Sequence, residues 1–230
     1  MNKVSKVKVA RIWLYLAVLI FPLLIAACDM LPFGNSEPDA CDGNGFLFED
    51  NFDGEQNCGW LEYNRGGAVA AIEDGALKIT TSNPGEIWWT NPDRGFDDVI
   101  INVTTTQVSG PDDNAYGVIC RYQDEENFYL FLISGDGYYA IGKYQSDGDR
   151  VTYLTEDGQF AQSDQINQGA AANLMEVSCV GNELSLAVNG YSLLTVTDSE
   201  FAGGDIGLAV SALEQGTVEI DFDDLQVTSP

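Results

Sequence analysis

From residue 53 onward, six Asp-Gly or Asn-Gly pairs divide this chain into short segments, and they constrain its fold more than any other feature of the sequence. Residues of these types tolerate the positive φ angles that tight β-hairpin turns require. Most pairs are flanked by runs rich in β-branched and aromatic residues, which favour strands. Many short strands joined by tight turns predict a sandwich or barrel without crossover helices. The pairs are Asp53-Gly54, Asp74-Gly75, Asp136-Gly137, Asp147-Gly148, Asp157-Gly158 and Asn189-Gly190.

The runs between these pairs predict the strands. Only the segment 164–173 has a pattern that could hold a helical turn. The region from residue 43 to residue 230 has a length typical of a single all-β domain. The predicted strands include residues 98–108, 116–122, 127–134, 137–144, 174–180, 183–189, 191–197, 205–212 and 217–227.

A basic start followed by an apolar run marks the N-terminus. Four Lys and Arg residues precede the run 12–27, so residues 1–27 predict a secretory signal rather than a retained membrane span. The segment Leu24-Ile25-Ala26-Ala27-Cys28 is similar to the lipobox of bacterial lipoproteins, which implies cleavage before Cys28 and lipid on its sulfur. A short anchor helix or an ordinary cleaved signal is the alternative.

The segment after the signal is predicted to be a tether. Residues 28–42 contain Pro, Gly, Asn and Ser and too few apolar residues to build a core. With lipid on Cys28, the protein is expected at the bacterial cell membrane, facing the extracytoplasmic side. The folded domain is then expected to span residues 43–230.

The charge of the chain limits its partners. All 36 acidic residues lie after residue 27, whereas four of the ten basic ones precede it. The remaining basic residues are scattered, so nucleic acid is not expected as a partner, because phosphate binding needs clustered Lys and Arg. The same negative field would repel an anionic lipid surface, so attachment should come from the lipid. We expect a monomer.

Four cysteines remain once Cys28 is assigned to lipid. An even number in an oxidising compartment predicts two disulfides. Three pairings are possible, and Cys41–Cys58 with Cys120–Cys179 is favoured because the first pair flanks one short segment and the second lies in two predicted strands. A zinc site is disfavoured, since the chain has no CxxC pair and no histidine.

The run 127–133 is apolar at both odd and even positions, which is typical of a strand covered on both faces. If Gly135-Asp136 forms the tight turn, Phe128, Leu130 and Leu132 share a core face with Tyr139 and Ile141. The opposite face then holds Tyr129, Phe131, Tyr138 and Tyr144, with Arg121 from the preceding strand. A register slip of one residue would exchange the two sets.

Several motifs occur in an order that resembles the concanavalin A-like lectin/glucanase superfamily, in its laminin-G-like branch and its branches of unknown function. The resemblance covers nearly all of residues 46–227 and implies an antiparallel two-sheet jelly-roll sandwich. That fold serves lectins, glycosidases, carbohydrate-binding modules and spacers, so the resemblance implies no single activity. The motifs are Phe48-Glu49-Asp50-Asn51-Phe52, Gly59-Trp60, Asp74-Gly75-Ala76-Leu77-Lys78-Ile79, Tyr116-Gly117-Val118-Ile119-Cys120-Arg121-Tyr122, Asn127-Phe128-Tyr129, Val188-Asn189-Gly190, Gly204-Asp205-Ile206-Gly207-Leu208 and Ile220-Asp221-Phe222-Asp223-Asp224-Leu225-Gln226-Val227.

One alternative is catalysis by a glucanase-like carboxylate strand. Glu219, Asp221 and Asp224 resemble the Glu-x-Asp-x-x-Glu strand of laminarinase-like glucanases, with Asp in the last position. A retaining glycosidase needs two carboxyl groups ~5 Å apart on one face. Glu219 and Asp224 differ by an odd number, so a regular strand sends them to opposite faces unless a bulge intervenes. Absence of histidine excludes Ser-His-Asp and Cys-His chemistry.

The favoured interpretation is non-catalytic recognition of glycan or a cell-envelope component. Tyr129, Tyr138 and Tyr144 would stack on sugar rings, with Arg121 as a fixed hydrogen-bond donor. Trp88 or the adjacent Trp89 would join them, but a regular strand brings only one of two neighbours to a given face. A structural or protein-binding ectodomain without a small ligand is the third interpretation.

Calcium is compatible with all three interpretations. In the resembling jelly rolls, an acidic residue after the first Phe and an Asp on the last strand hold a structural Ca²⁺. The matching positions are Glu49 or Asp50 and Asp223 or Asp224. Carboxylate oxygens are the ligands this ion prefers.

Overall fold

The computed structural model describes residues 41–43, 45–54, 56–145 and 151–230, and within these ranges the chain forms sixteen strands and no helix. The predicted two-sheet jelly-roll sandwich is confirmed, since the strands pair antiparallel in two sheets. In chain order they are β1 (Phe48–Asp50), β2 (Tyr63–Arg65), β3 (Ala68–Glu73), β4 (Ala76–Thr81), β5 (Ile87–Thr90), β6 (Val99–Ser109), β7 (Asn114–Asp124), β8 (Asn127–Ile133), β9 (Tyr138–Tyr144), β10 (Thr152–Tyr153), β11 (Ala161–Gln162), β12 (Ala172–Val180), β13 (Glu183–Val188), β14 (Tyr191–Thr197), β15 (Asp205–Ala212) and β16 (Val218–Thr228).

The two sheets have different strand orders. The nine-stranded sheet runs β14-β13-β12-β6-β16-β4-β3-β2, with β1 also paired to β16. The seven-stranded sheet runs β10-β9-β8-β7-β15-β5, with β11 also paired to β9. Strands distant in sequence therefore lie side by side at the centre of each sheet.

The two sheets also differ in how their faces are covered. In the nine-stranded sheet, β6 and β12 alternate buried with more exposed residues, so one face of that sheet packs on the core and the other meets solvent. In the seven-stranded sheet, β7, β8 and β15 are buried at nearly every position. This sheet therefore carries a second apolar layer on its outer face, away from the sandwich interior.

Both predicted disulfides are present. Cys41 pairs with Cys58 and Cys120 pairs with Cys179. The second bridge joins β7 of one sheet to β12 of the other and so ties the sandwich together. Cys41, which the sequence places in the tether, is fully buried in the core, and its carbonyl accepts a hydrogen bond from the Glu49 amide.

Most predicted strands agree with the structure within two residues, because turn residues mark their ends. Asp74-Gly75 and Asn189-Gly190 form two-residue hairpin turns with positive φ at both positions. The segment 164–173, which had a pattern that could hold a helical turn, instead forms turns and bends and then enters β12. Asp147-Gly148 lies outside the described residues, as do the predicted signal 1–27 and Cys28.

Within the part of the chain that the structure describes, no helix is long and apolar enough to cross a membrane.

Candidate functional site

A groove of about 1150 Å³ lies on the outer face of the seven-stranded sheet. Its floor consists of residues whose side chains point away from the sandwich interior, including Phe128 and Leu132 of β8 and Ala115 of β7. One wall comes from the segment between β1 and β2. The lining residues are Gly59, Trp60, Leu61, Glu62, Arg65, Gly85, Glu86, Ile87, Trp88, Trp89, Thr90, Asn91, Asp93, Ala115, Tyr122, Glu125, Phe128, Leu132, Tyr144, Val151, Tyr153, Asp205, Val210, Ser211 and Leu213.

Four aromatic rings form a continuous patch in the floor. The rings of Phe128 and Tyr144 are parallel within 7° at 5.2 Å, because the two residues are cross-strand partners on β8 and β9. Trp89 lies 5.2 Å and Tyr122 5.6 Å from the Phe128 ring. Trp89, Tyr122 and Tyr144 are only partly buried, so these rings are accessible from the groove.

Small residues make room above this sheet. Ala115 and Ala209 lie on the groove side of β7 and β15, where larger side chains would fill the space. On β9, a Cβ at Gly142 would lie 2.5 Å from Cγ1 of Val151 and 3.4 Å from the Tyr153 ring. The missing side chain of Gly142 therefore lets the segment from Val151 to Tyr153 pack against the sheet and form the end of the groove.

The wall between β1 and β2 is held by specific hydrogen bonds. The indole N–H of Trp60 donates to Oδ2 of Asp50 at 3.0 Å, which anchors the segment in the core. The Thr90 hydroxyl donates to the carbonyl of Leu61 at 2.8 Å. Leu61 is 56% exposed and Leu213 is 41% exposed, so the groove has apolar side chains at its rim.

Carboxylates dominate the polar lining. They belong to Glu62, Glu86, Asp93, Glu125 and Asp205, whereas Arg65 is the only basic residue among the described residues that line the groove. The rim is therefore strongly negative near neutral pH.

The surroundings of Asp205 in the groove alter its acidity. Burial raises the pKa of Asp205 to about 6, and the charge of Asp93 acts in the same direction. Hydrogen bonds from the backbone N–H groups of Ile206, Arg94 and Asp93 oppose the shift. The carboxylate is deprotonated at neutral pH but is a stronger base than an ordinary aspartate.

The predicted assignment of faces on β8 is wrong, and the turn explains the error. The Ser134 amide donates to the Tyr138 carbonyl at 2.9 Å, so three residues, 135–137, form the loop instead of two. The extra residue shifts the register by one and pairs Ile133 with Tyr139. Tyr129 and Phe131 consequently join Tyr139 and Ile141 in the core, and the set predicted for the core faces the groove. That set is Phe128, Leu130 and Leu132.

Arg121 is a buried structural link and not a ligand donor. Its guanidinium donates to the Phe201 carbonyl at 2.9 Å, to the Gly181 carbonyl at 2.8 Å and to Oδ1 of Asp98 at 3.1 Å. The side chain is 1% exposed. A bulge in β7, where Arg121 has a φ of 54°, turns it into the interior. The assignment of Arg121 to the ligand face is therefore wrong.

Tyr129 is likewise removed from any ligand. Its hydroxyl donates to Oδ1 of Asp198 at 2.5 Å and accepts the Phe201 amide at 3.2 Å. Lys143 binds Oδ2 of Asp198 at 2.7 Å. Burial raises the pKa of Asp198, but the hydrogen bonds from Lys143, Tyr129 and the Glu200 amide outweigh burial and lower it. This cluster holds the segment after β14 against β8 and β9.

The other predicted ligand residues have mixed outcomes. Tyr144 lines the groove, whereas Tyr138 does not. Tyr138 lies at the other end of β9, where it pairs with Gln162 of β11. Trp88 and Trp89 both line the groove, although neighbours on a strand point to opposite faces. Trp88 reaches it at the edge of the sandwich, where its ring packs 6.0 Å from that of Tyr63.

The predicted catalytic carboxylates lie away from the groove. Glu219 and Asp221 are on β16 in the other sheet, where Lys78 lies 3.9 Å from Glu219. A bulge occurs between Asp223 and Gln226, and Asp224 has a φ of 50°. None of the three catalytic candidates is in the groove lining, and Asp224 instead lines a separate pocket of about 260 Å³.

That smaller pocket contains part of the predicted calcium site. Glu49, Asp50 and Asp224 line it, and the charge of Asp223 adds to the burial that raises the pKa of Asp50. The Asp50 carboxylate already accepts hydrogen bonds from the Phe52 amide and the Trp60 indole. Among the described residues, no group of three or more Asp, Glu or Cys side chains is arranged to hold a metal ion. Calcium binding stays a prediction, tested by whether chelator lowers the Tm.

Sequence reasoning missed most of the groove. Among the lining residues, Tyr122, Tyr153 and Asp205 were not assigned, and Phe128 and Leu132 were placed in the core. The run 127–133 signals a second layer outside the sheet, since an apolar strand has both faces covered, but it does not identify the residues that other strands contribute.

Comparisons with known proteins agree with this architecture. A family model described as a 3-keto-alpha-glucoside-1,2-lyase-like domain matches residues 47–228. No curated protein sequence is significantly similar to the chain.

Solved structures share the fold at low sequence identity. The carbohydrate-binding module CBM66 from Bacillus subtilis is 17% identical, with a TM-score of 0.57 over 74% of this chain and 96% of that one. A galectin-like protein of unknown function from Bacillus subtilis is 11% identical, with a TM-score of 0.58 over 81% and 96%. A laminarinase from Flavobacterium sp. UMI-01 is 10% identical, with a TM-score of 0.53 over 80% and 100%. These likenesses concern the fold alone. The family match covers most of the chain, which therefore belongs to the 3-keto-alpha-glucoside-1,2-lyase-like domain family.

Proposed function

We propose that this domain binds a glycan in the groove on the outer face of the seven-stranded sheet. The observation that carries the proposal is the patch of Trp89, Tyr122, Phe128 and Tyr144, three of whose rings are accessible. Pyranose rings present apolar C–H faces that pack on aromatic rings, while their hydroxyls hydrogen-bond to polar groups at the rim. A carbohydrate-binding module and a laminarinase among the structures with this fold agree with such a role.

The rim supplies the polar half of such a site. Carboxylates accept hydrogen bonds from sugar hydroxyls, and these charge-assisted bonds are stronger than neutral ones. Glu62 is pre-positioned, because its two oxygens already accept hydrogen bonds from the Asn57 side chain and the Ile72 amide. The bound sugar would therefore meet a fixed rim above an apolar floor.

Substitution of the floor tests the proposal. Tyr144→Ala and Trp89→Ala are each expected to weaken binding of an oligosaccharide found by glycan array roughly tenfold or more, since each removes about 1–2 kcal/mol of stacking. Tyr191→Ala is the matched control, because Tyr191 is 57% exposed on the edge strand β14 of the other sheet. Binding by calorimetry that is unaffected by both floor substitutions would place the ligand elsewhere.

Family membership supports a second candidate, cleavage of a 3-keto-α-glucoside, and Asp205 is the residue that favours it. In a 1,2-elimination a base takes the proton at C2, that electron pair forms the C1–C2 double bond, and the C1–O bond breaks. Water gives a proton to the leaving oxygen, and the hydroxide that remains takes the C2 proton from the base, which is thereby regenerated. Asp205 lines the groove, and its raised pKa suits a general base. An increase in enone absorbance when the wild-type protein is mixed with a 3-keto-α-glucoside, lost in Asp205→Asn, supports this activity. If the wild-type protein gives no such increase, this candidate activity is wrong.

We propose further that the domain is attached to the cell membrane through lipid on Cys28 and faces the extracytoplasmic side. The two disulfides support this location, because such bonds persist in oxidising compartments. Mass spectrometry of the N-terminal peptide should find acyl chains on Cys28, and Cys28→Ala should release the protein from membranes. An unmodified thiol would contradict the anchor. Co-purification with envelope proteins and no glycan binding would favour the protein-interaction alternative.

A further inference from the structure

Negative charge is concentrated at the end of the groove that contains Tyr122. Glu125 and Asp205 both line the groove there, and Asp205 is the strand partner of Tyr122. Burial raises the pKa of the Tyr122 hydroxyl, and the charges of Glu125, Asp124 and Asp205 add to that rise, although the Trp89 indole opposes it. Asp93, which also lines the groove, adds its charge to that of Asp205. Four carboxylates therefore act on one small region.

The described basic residues closest in sequence have partners of their own. Arg121 points into the core, where it binds Asp98 and two carbonyls. Lys143 binds Asp198. Arg94 binds Asp42 at 2.6 Å and lies over the Phe48 ring. Arg65, the one basic residue found in the described groove lining, lies over the Tyr63 ring on β2.

Aromatic faces and carboxylates together form the chemistry that proteins use to hold an ammonium group. The electron-rich face of an indole or phenol ring attracts a cation, and the attraction grows where water is partly excluded. At this end of the groove, the ring of Trp89 lies 6.3 Å from that of Tyr122, and both are beside Phe128. Glu125 and Asp205 supply the opposite charge and hydrogen-bond acceptors.

We infer that the Tyr122 end of the groove binds the ammonium group of an amino sugar, so that the preferred glycans carry free amino groups. This inference rests on the proposed function, since the sugar ring must stack on the same floor. An N-acetylated unit has lost the positive charge, and a uronic acid unit would be repelled by four carboxylates. The groove is therefore expected to rank glycans as amino, then neutral, then anionic.

Three tetrasaccharides with the same β-1,4 linkage test the ranking. They carry a hydroxyl, a free amine or an N-acetyl group at C2, and calorimetry with the full chain near neutral pH gives their affinities. The amino tetrasaccharide is expected to bind roughly tenfold tighter than the neutral one, as about 1–2 kcal/mol of cation attraction implies. Its advantage should shrink as salt increases, because these carboxylates are partly exposed.

Two substitutions locate the charge. Asp205→Asn and Glu125→Gln should each reduce the ratio of amino to neutral affinity by several-fold. Glu176→Gln is the control, since it removes the same charge from an exposed position on β12 in the other sheet, and the ratio should not change. Equal affinity for amino and neutral tetrasaccharides, or a ratio that survives both substitutions, overturns the inference and leaves the proposed function intact. If none of the three tetrasaccharides binds and Tyr144→Ala has no effect on the binding of any glycan, the proposed glycan-binding function and the preference for amino sugars are both wrong.

Discussion

At the scale of single residues, two aspartates show how burial and partners decide acidity in this domain. Asp205 is partly buried near the charge of Asp93, and together these raise its pKa to about 6 although backbone N–H groups hydrogen-bond to its carboxylate. Asp198 is also partly buried, but its carboxylate accepts hydrogen bonds from Lys143 and Tyr129, and its pKa falls. The two residues therefore make opposite contributions to stability as pH changes.

Asp205→Asn is expected to stabilise the protein at neutral and alkaline pH. The folded-state pKa lies above the ordinary value of 3.8, so the ionised form costs stability above a pH of about 6, and this cost disappears as pH falls towards 3.8. The gain in Tm over wild type should therefore be largest above neutral pH and vanish in acid. Glu176→Gln is the control. A gain that does not depend on pH would show that ionisation is not its cause.

Asp198→Asn is expected to destabilise the protein near neutral pH. Because the pKa of Asp198 is lowered by folding, its carboxylate stabilises the native state above the ordinary pKa of 3.8, and that contribution is lost as pH falls below it. We expect a loss of about 1–3 kcal/mol in urea unfolding near neutral pH, shrinking in acid. A loss of the same size at all pH values would assign the effect to packing.

At the scale of strands and turns, the sequence predicts where strands and turns occur better than it predicts the register in which neighbouring strands pair. The turns at Asp74-Gly75 and Asn189-Gly190 could be predicted, because each pair supplies the two positive φ angles that a two-residue loop needs. The loop between β8 and β9 could not, since Gly135, Asp136 and Gly137 permit a loop of either two or three residues. That single residue exchanged the faces of β8, which is why Tyr129 was assigned to a ligand face although it lies in the interior. Arg121 was misassigned for a different reason, the bulge in β7 at that residue.

Gly142→Ala tests how β9 shapes the groove. The new methyl group would lie 2.5 Å from Val151, so the segment ending at Tyr153 must move away from the sheet. We expect glycan affinity to fall several-fold with a smaller change in Tm, because the strands that pair with β9 in the sheet core stay in place. Gly95→Ala is the control, since a Cβ at Gly95 would meet no atom within 4 Å. Unchanged affinity in Gly142→Ala would mean that this end of the groove does not contact ligand.

At the scale of the whole molecule, the disulfides and the covered outer face define the fold. The turn pairs and β-rich runs were enough to predict the two-sheet sandwich, and the even cysteine count was enough to predict its two bridges. The groove was not predictable, because it combines residues from β5, β7, β8, β9 and β15 with the segment between β1 and β2. Only the strand order of the seven-stranded sheet brings these together.

Removal of the two disulfides should have unequal effects. Cys120 and Cys179 are 59 residues apart and Cys41 and Cys58 only 17, so the longer loop restricts the unfolded chain more, by about 4 against about 3 kcal/mol. Cys120→Ser with Cys179→Ser should therefore lower the free energy of unfolding more than Cys41→Ser with Cys58→Ser. The reverse order would show that local packing around Cys41 outweighs loop entropy.

The most direct measurement of the central claim is the position of a bound oligosaccharide on the domain. Amide chemical-shift changes during titration with the tightest-binding oligosaccharide should concentrate on β5, β8 and β9 and around Tyr122 and Asp205. Changes concentrated on the outer face of the nine-stranded sheet, around Glu219 and Asp221, would contradict the account.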